Sequence, residues 1–276
     1  MAKNGLAKTT IRITMSHLTC LLNSAIEDEL ILKNPTAKTS KLYEQAPDRH
    51  GEIEPLTADE VRTFLKAALK HSPEHYAFFL AAIHTGLRLG ELAGLKWGDT
   101  DFIGKFLMVR RSYSHGRMAK TKTKQVRRVD LSTSLWGELR RLRKTRKEEW
   151  LKEGKNEIPE WVFCNQVGGP PDVQNLKNRH FYRCLEKAGL RRIRFHDLRH
   201  TFASLLLTNG ESLTYVKDQL GHSSISMTVD VYGHLVPGAN RAAMDRLPRW
   251  FRESCAQELI ITRPQISRDS LGSKHA

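Results

Sequence analysis

Helix signals with defined starts and stops recur along most of the chain, and they limit it to a mainly helical fold. Thr57 and Glu60 form a capping box ahead of Val61, Phe64, Leu65 and Leu69, which are spaced to face inward. Ser72-Pro73 opens a second helix that runs through the apolar stretch YAFFLAAI and stops at Gly86. Further helices are expected over 133–152, 175–188, 197–209 and 212–220, with Gly210 and Gly221 as caps. Only FLMVRRSY and QVRRVDL are short and β-branched. Separated by a basic loop, they predict a small antiparallel sheet. The fold class is therefore α+β, mainly α-helical.

Residues 9–34 carry one apolar stripe, Ile11, Met15, Leu18, Leu21, Leu22 and Ala25, with Lys33-Asn34-Pro35 as the expected stop. A helix of this kind cannot bury its apolar face alone. Polar residues 43–55 read as a linker, dividing the chain into a segment 1–48, a domain 55–248 and a polar tail 249–276.

Charge narrows the partner. Lys and Arg number 45 against 30 Asp and Glu, a net charge of +15, which points to a polyanion and first to nucleic acid. Residues 105–128 hold Lys105, Arg110, Arg111, Arg117, Lys120, Lys122, Lys124, Arg127 and Arg128 and no acid. The apolar run Tyr76–Ile83 is far shorter than the ~18 residues of a membrane span. The N-terminus has no apolar region followed by a small-residue cleavage site, so secretion is not expected. Cys20, Cys164, Cys184 and Cys255 form no CxxC pair, as suits reduced thiols in a cytoplasmic protein.

Reactive residue types concentrate in TGLRLGEL (85–92), AKTKTKQVRR (119–128), HDLRH (196–200) and LGHSSISMTVDVYGHL (220–235). His196 and Arg199 lie three apart, on one helix face, and can converge on one anion. Arg88 has Glu91 three residues on. Taken singly, each has a plain reading: Arg88–Glu91 as a surface pair, His196 as a cap, His200 as a buried histidine, Tyr232 as a half-buried aromatic, Lys122 as a solvating lysine. His196, His200, His222 and His234 could also supply imidazoles to a metal. Asp197 replaces the Glu of a HExxH box, however, and Arg199 would repel a cation, so an anion site and no metal are expected.

In order, Arg88 in TGLRLGEL, Lys122 in TKTKQVRR, His196 and Arg199 in HDLRH, His222 in LGHSS and Tyr232 in DVYGHL fill six positions. This set resembles the active site of the tyrosine recombinase, or phage-type integrase, family. The resemblance spans roughly residues 55–245, and residues 10–35 resemble the closing helices of the family's core-binding domain. Asp130 stands where a proline is common.

The resemblance implies the family's catalytic-domain fold over 55–248, preceded by a partial helical core-binding segment. It further implies cleavage and rejoining of DNA through a 3′-phosphotyrosyl intermediate, with Tyr232 as nucleophile. Arg88 and Arg199 would grip the phosphate, with Glu91 orienting Arg88. His222 would hydrogen-bond the phosphate, His196 would take the tyrosine proton and Lys122 would protonate the leaving oxygen. Lys120 and Lys124 are rivals for that last place and, with Arg127, candidate DNA contacts. The implied partners are double-stranded DNA, a homotetramer at synapsis and accessory or directionality factors. No cofactor and no membrane are implied, and the protein would be nucleoid-associated when bound. The rival reading is a non-catalytic or truncated DNA-binding regulatory fragment of an integrase.

Overall fold

The computed structural model describes residues 6–37, 39, 54–114, 116–120 and 126–235. The linker around residue 50 and the tail 249–276 lie outside them, as do Lys122 and Lys124. The helices are α1 (Lys8–Glu27), α2 (Ala58–His71), α3 (Tyr76–Thr85), α4 (Leu89–Ala93) and α5 (Thr133–Lys152). They continue as α6 (Val173–Asn175), α7 (Tyr182–Lys187), α8 (Asp197–Thr208), α9 (Leu213–Leu220) and α10 (Ser226–Tyr232). The strands are β1 (Thr100–Asp101), β2 (Phe106–Val109), β3 (Arg111–Ser114), β4 (Arg117–Lys120) and β5 (Arg127–Asp130). No described helix is long and apolar enough to cross a membrane.

Most helices begin where the sequence signals place them. Thr57 accepts from the Glu60 N–H, and the Glu60 carboxylate accepts from the Thr57 N–H at 2.8 Å. Val61 and Phe64 are buried, but Leu69 is 52% exposed. A ridge of every fourth residue drifts about 40° per step, which carries Leu69 off the face that Val61 begins. The expected helix 175–188 is divided, because Leu176–Phe181 form a π-helical segment between α6 and α7.

Two expectations need correction. Residues 9–34 are not one helix: α1 stops at Glu27, since Glu29 takes a left-handed φ of 58° and the Leu30 N–H returns to the Ala25 carbonyl. Asn34 then folds back, donating to the Thr19 carbonyl at 3.1 Å. Nor is FLMVRRSY one strand. It breaks at Arg110, where Arg110 and Arg111 both turn to the buried Asp99, at 3.5 and 2.6 Å. β2 pairs β5 antiparallel with Leu107 opposite Val129, in a sheet of order β1-β2-β5. β3 leaves to form a separate hairpin with β4.

The main core gathers the aromatic and aliphatic faces of α2, α3, α5 and the sheet, and α3 sits deep in it with every residue from Ala77 to Ile83 buried. A second cluster of Phe202, Ala203, Leu207, Val216, Leu220 and Tyr232 packs α8, α9 and α10 together. The candidate site lies where these two clusters meet, at the Gly86 end of α3. By contrast α1 buries only Ile11, leaving Ile13, Leu18 and Leu21 exposed.

Candidate active site

Arg199 ties the site together. The residue is 3% exposed, and its guanidinium donates to the Gly86 carbonyl and the Leu220 carbonyl, each at 2.8 Å. Those carbonyls end α3 and α9, where helix dipoles favour a cation. Among the described residues, two of its five N–H groups serve these bonds, which leaves others for a ligand. Burial, and then the Arg88 charge, lower its pKa to about 9, so it stays charged at neutral pH. Gly86 is required at this junction. Its φ is 60°, and a Cβ would stand 2.4 Å from Phe202 Cδ1.

Arg88 is the N-cap of α4, and the third helical residue, Glu91, reaches back to it. The Glu91 carboxylate accepts from the Arg88 N–H at 3.0 Å and from Arg88 Nη1 at 2.9 Å. Arg127, on β5, grips the same carboxylate with both terminal nitrogens, at 3.0 and 2.6 Å, and gives Nε to the Gln219 carbonyl. Its side chain is 10% exposed. The guanidinium of Arg127, a candidate DNA contact from the sequence, lies inside the site and shares Glu91 with Arg88. Gly221, at φ 68°, makes the room, because a Cβ there would meet Arg127 Cδ at 2.6 Å.

Burial pushes the Glu91 carboxyl up, but the hydrogen bonds and charge of Arg127, with Arg88, outweigh it and hold its pKa at about 2. Two guanidiniums thus bind one carboxylate, and Arg199 stands near enough to feel its charge. The excess positive charge suits an anion.

The imidazoles stand against this charge. His222 follows the α9 cap, and its Nδ1 lies 2.9 Å from Oγ1 of the buried Thr228. Burial, then Arg199 and Arg88, lower its pKa to about 4, so the ring is neutral at pH 7. When Thr228 donates to Nδ1, the ring proton sits on Nε2 and is available to an anion. His196, directly before α8, has its pKa lowered by desolvation and then by Arg199.

Tyr232 ends α10, 3% exposed in the second cluster. Burial raises its phenol to about 12, although Arg199 pulls the other way. The imidazole at its oxygen is not His196, the expected proton acceptor, but His200, whose Nδ1 lies 2.6 Å from Oη. His196 packs edge-on against His200, with ring centroids 5.2 Å apart. Position alone could have flagged His200, one turn beyond His196 on the same helix face.

Arg88, Glu91, His196, Arg199, His222 and Tyr232 therefore share one locality. Lys122 and Lys124 lie outside the described residues, and Lys120 is described only as backbone at the end of β4. The side chain of His234 is likewise not described. Among the described residues, candidate metal-ligand atoms gather within 4.8 Å of one another at Glu74, His75 and His180, ahead of α3. Both imidazoles there already meet Ser72 Oγ, at 3.2 and 2.8 Å.

Comparison with known proteins identifies the family. Residues 54–237 match the phage integrase family. A tyrosine recombinase XerC-like protein of Caldanaerobacter subterraneus subsp. tengcongensis is 33% identical over 265 residues, covering 89% of this chain and 67% of that protein. The ICEBs1 integrase of Bacillus subtilis is 28% identical over 253 residues, covering 90% and 67%. The Tn1549 transposon integrase, solved with a circular intermediate DNA, superposes with a TM-score of 0.70 at 25% identity, covering 89% of this chain and 81% of that one. The chain belongs to the phage integrase family of tyrosine-type site-specific recombinases.

Proposed function

We propose that this protein cleaves and rejoins double-stranded DNA at specific sites by transesterification, with Tyr232 forming a 3′-phosphotyrosyl bond. The carrying observation is the meeting of Arg88, Arg199, His222 and Tyr232, drawn from separate elements, around a net positive site. The Tn1549 integrase, solved on DNA, supports the choice of substrate.

The chemistry follows from the groups. As the phosphorus gains its fifth ligand, negative charge grows on its non-bridging oxygens. Two fixed guanidiniums meet that charge without reorganising. Arg199 is locked by backbone carbonyls and Arg88 by Glu91, so both are held in place before DNA arrives. His222 donates a further hydrogen bond from Nε2, and His196, beside Arg199, takes the Tyr232 proton as the phenol turns from His200 to the phosphorus. Lys122, between β4 and β5 in the sequence, protonates the leaving 5′ oxygen. Lys120 and Lys124 hold neighbouring backbone phosphates. Positive charge is thus supplied by arginine, and the energy of the broken phosphodiester stays in the tyrosyl bond.

Synapsis by a homotetramer, steered by accessory or directionality factors, is part of this reading. The test is a nicked suicide substrate. The wild type forms an SDS-resistant protein–DNA complex and Tyr232→Phe forms none. DNA binding without a complex in either protein would instead identify a regulatory fragment. Binding should also weaken steeply with salt, by roughly 10³ to 10⁵ between 50 and 200 mM for about 6–10 phosphate contacts.

A further inference from the structure

We propose that His200 is the positioning residue of the nucleophile, holding the Tyr232 hydroxyl so that its oxygen faces the arginine-bound phosphate. The inference rests on the transesterification reading above and adds to it a residue outside the six matched positions.

The geometry carries it. α10 is a seven-residue helix whose Met227 and Val229 are 45% and 44% exposed, so only part of it is anchored. The Tyr232 ring is fixed by apolar neighbours from α8 and α9. Apolar contacts set where a ring sits but do not orient its hydroxyl. The described polar contact of that hydroxyl is His200 Nδ1, at 2.6 Å.

The direction of this bond matters. Burial, and then the neighbouring His196, lower the His200 pKa to about 4, so at neutral pH the imidazole is uncharged, and in the tautomer with its proton on Nε2 the phenol donates to Nδ1. With the proton aimed at Nδ1, the oxygen's lone pairs point away from His200. His200 itself is set by α8, three residues after Asp197 accepts from the Arg194 N–H at 2.7 Å and one residue after Arg199. One helix therefore carries both the phosphate-gripping arginine and the group that aims the tyrosine. Their separation is fixed by a rigid backbone.

The experiment is single-turnover cleavage of the suicide substrate by the full chain, with DNA affinity measured in parallel. His200→Ala should cleave about 10²-fold more slowly, the usual cost of a misplaced reacting group, with unchanged affinity. His200→Asn, whose amide places a hydrogen-bonding atom near the Nδ1 position, should recover most of the loss. It also serves if the alanine variant fails to fold. In a Tyr232→Phe background, hydrogen peroxide supplied as the nucleophile should cleave equally well whether His200 is kept or is itself changed to alanine. A full rate in His200→Ala, an asparagine variant as slow as alanine, or peroxide cleavage that falls when His200 is replaced would each overturn the inference. A wild type that forms no covalent complex overturns the functional reading itself, whereas a normal wild type with an unaffected His200→Ala overturns only the role of His200.

Discussion

The two halves of the site are built by different physics. On the phosphate side, Glu91, Arg88, Arg127 and Arg199 form a charged network that ties α4, β5 and α8 to one another and to the ends of α3 and α9. On the tyrosine side, a short half-exposed helix is docked by apolar contacts and one neutral hydrogen bond. The first half is preorganised, as electrostatic stabilisation of a transition state requires. Under the proposed transesterification the second must change partners, because the phenol leaves a histidine for a phosphorus atom. A permanent grip and a releasable nucleophile therefore meet at α8.

The largest expected effect tests the charged half. Glu91→Gln removes the carboxylate beneath two guanidiniums, and breaking such a buried pair should cost about 3–5 kcal/mol in urea unfolding. A loss near zero would mean the network is not preorganised. Arg199→Ala should slow covalent complex formation by about 10² to 10³, the usual cost of one oxyanion donor, while Tyr232 stays buried. If its cleavage rate is normal, the division between the halves is wrong.

Acid sharpens the same contrast. The Glu91 pKa is depressed to about 2, below its ordinary 4.5, so its contribution is fully present above the higher value. It is lost progressively as pH falls toward the lower one. Stability of the wild type should drop over that window, and the drop should be shallower in Glu91→Gln. Gly86→Ala would force a Cβ against Phe202 at a left-handed position, at a cost of about 1–3 kcal/mol, loosening both halves at their junction. Smallest of all, Thr228→Val should cost about 1 kcal/mol or less. It should lower the cleavage rate through His222 without altering Tyr232 burial, which a near-ultraviolet spectrum would check.

Much of this architecture could be read residue by residue. The Thr57–Glu60 box and the Gly86 and Gly221 stops depend on neighbours three or four positions apart, so local sequence specifies them. The end of α1 was missed because a glutamate, not a glycine, takes the left-handed position there. The break at Arg110 was missed because its cause, Asp99, stands on another element.

The site shows the same divide. Sequence alone determined which residue types stand in which order, from Arg88 through HDLRH to Tyr232, and how His196, Arg199 and His200 are spaced along one helix. It could not decide that Arg127 turns inward to Glu91 rather than outward, or which imidazole meets the phenol. Those outcomes depend on the room left at Gly221 and on how α10 settles against α8. They are contacts between residues 32 to 92 positions apart, set by packing and charge that exist only after the chain has folded.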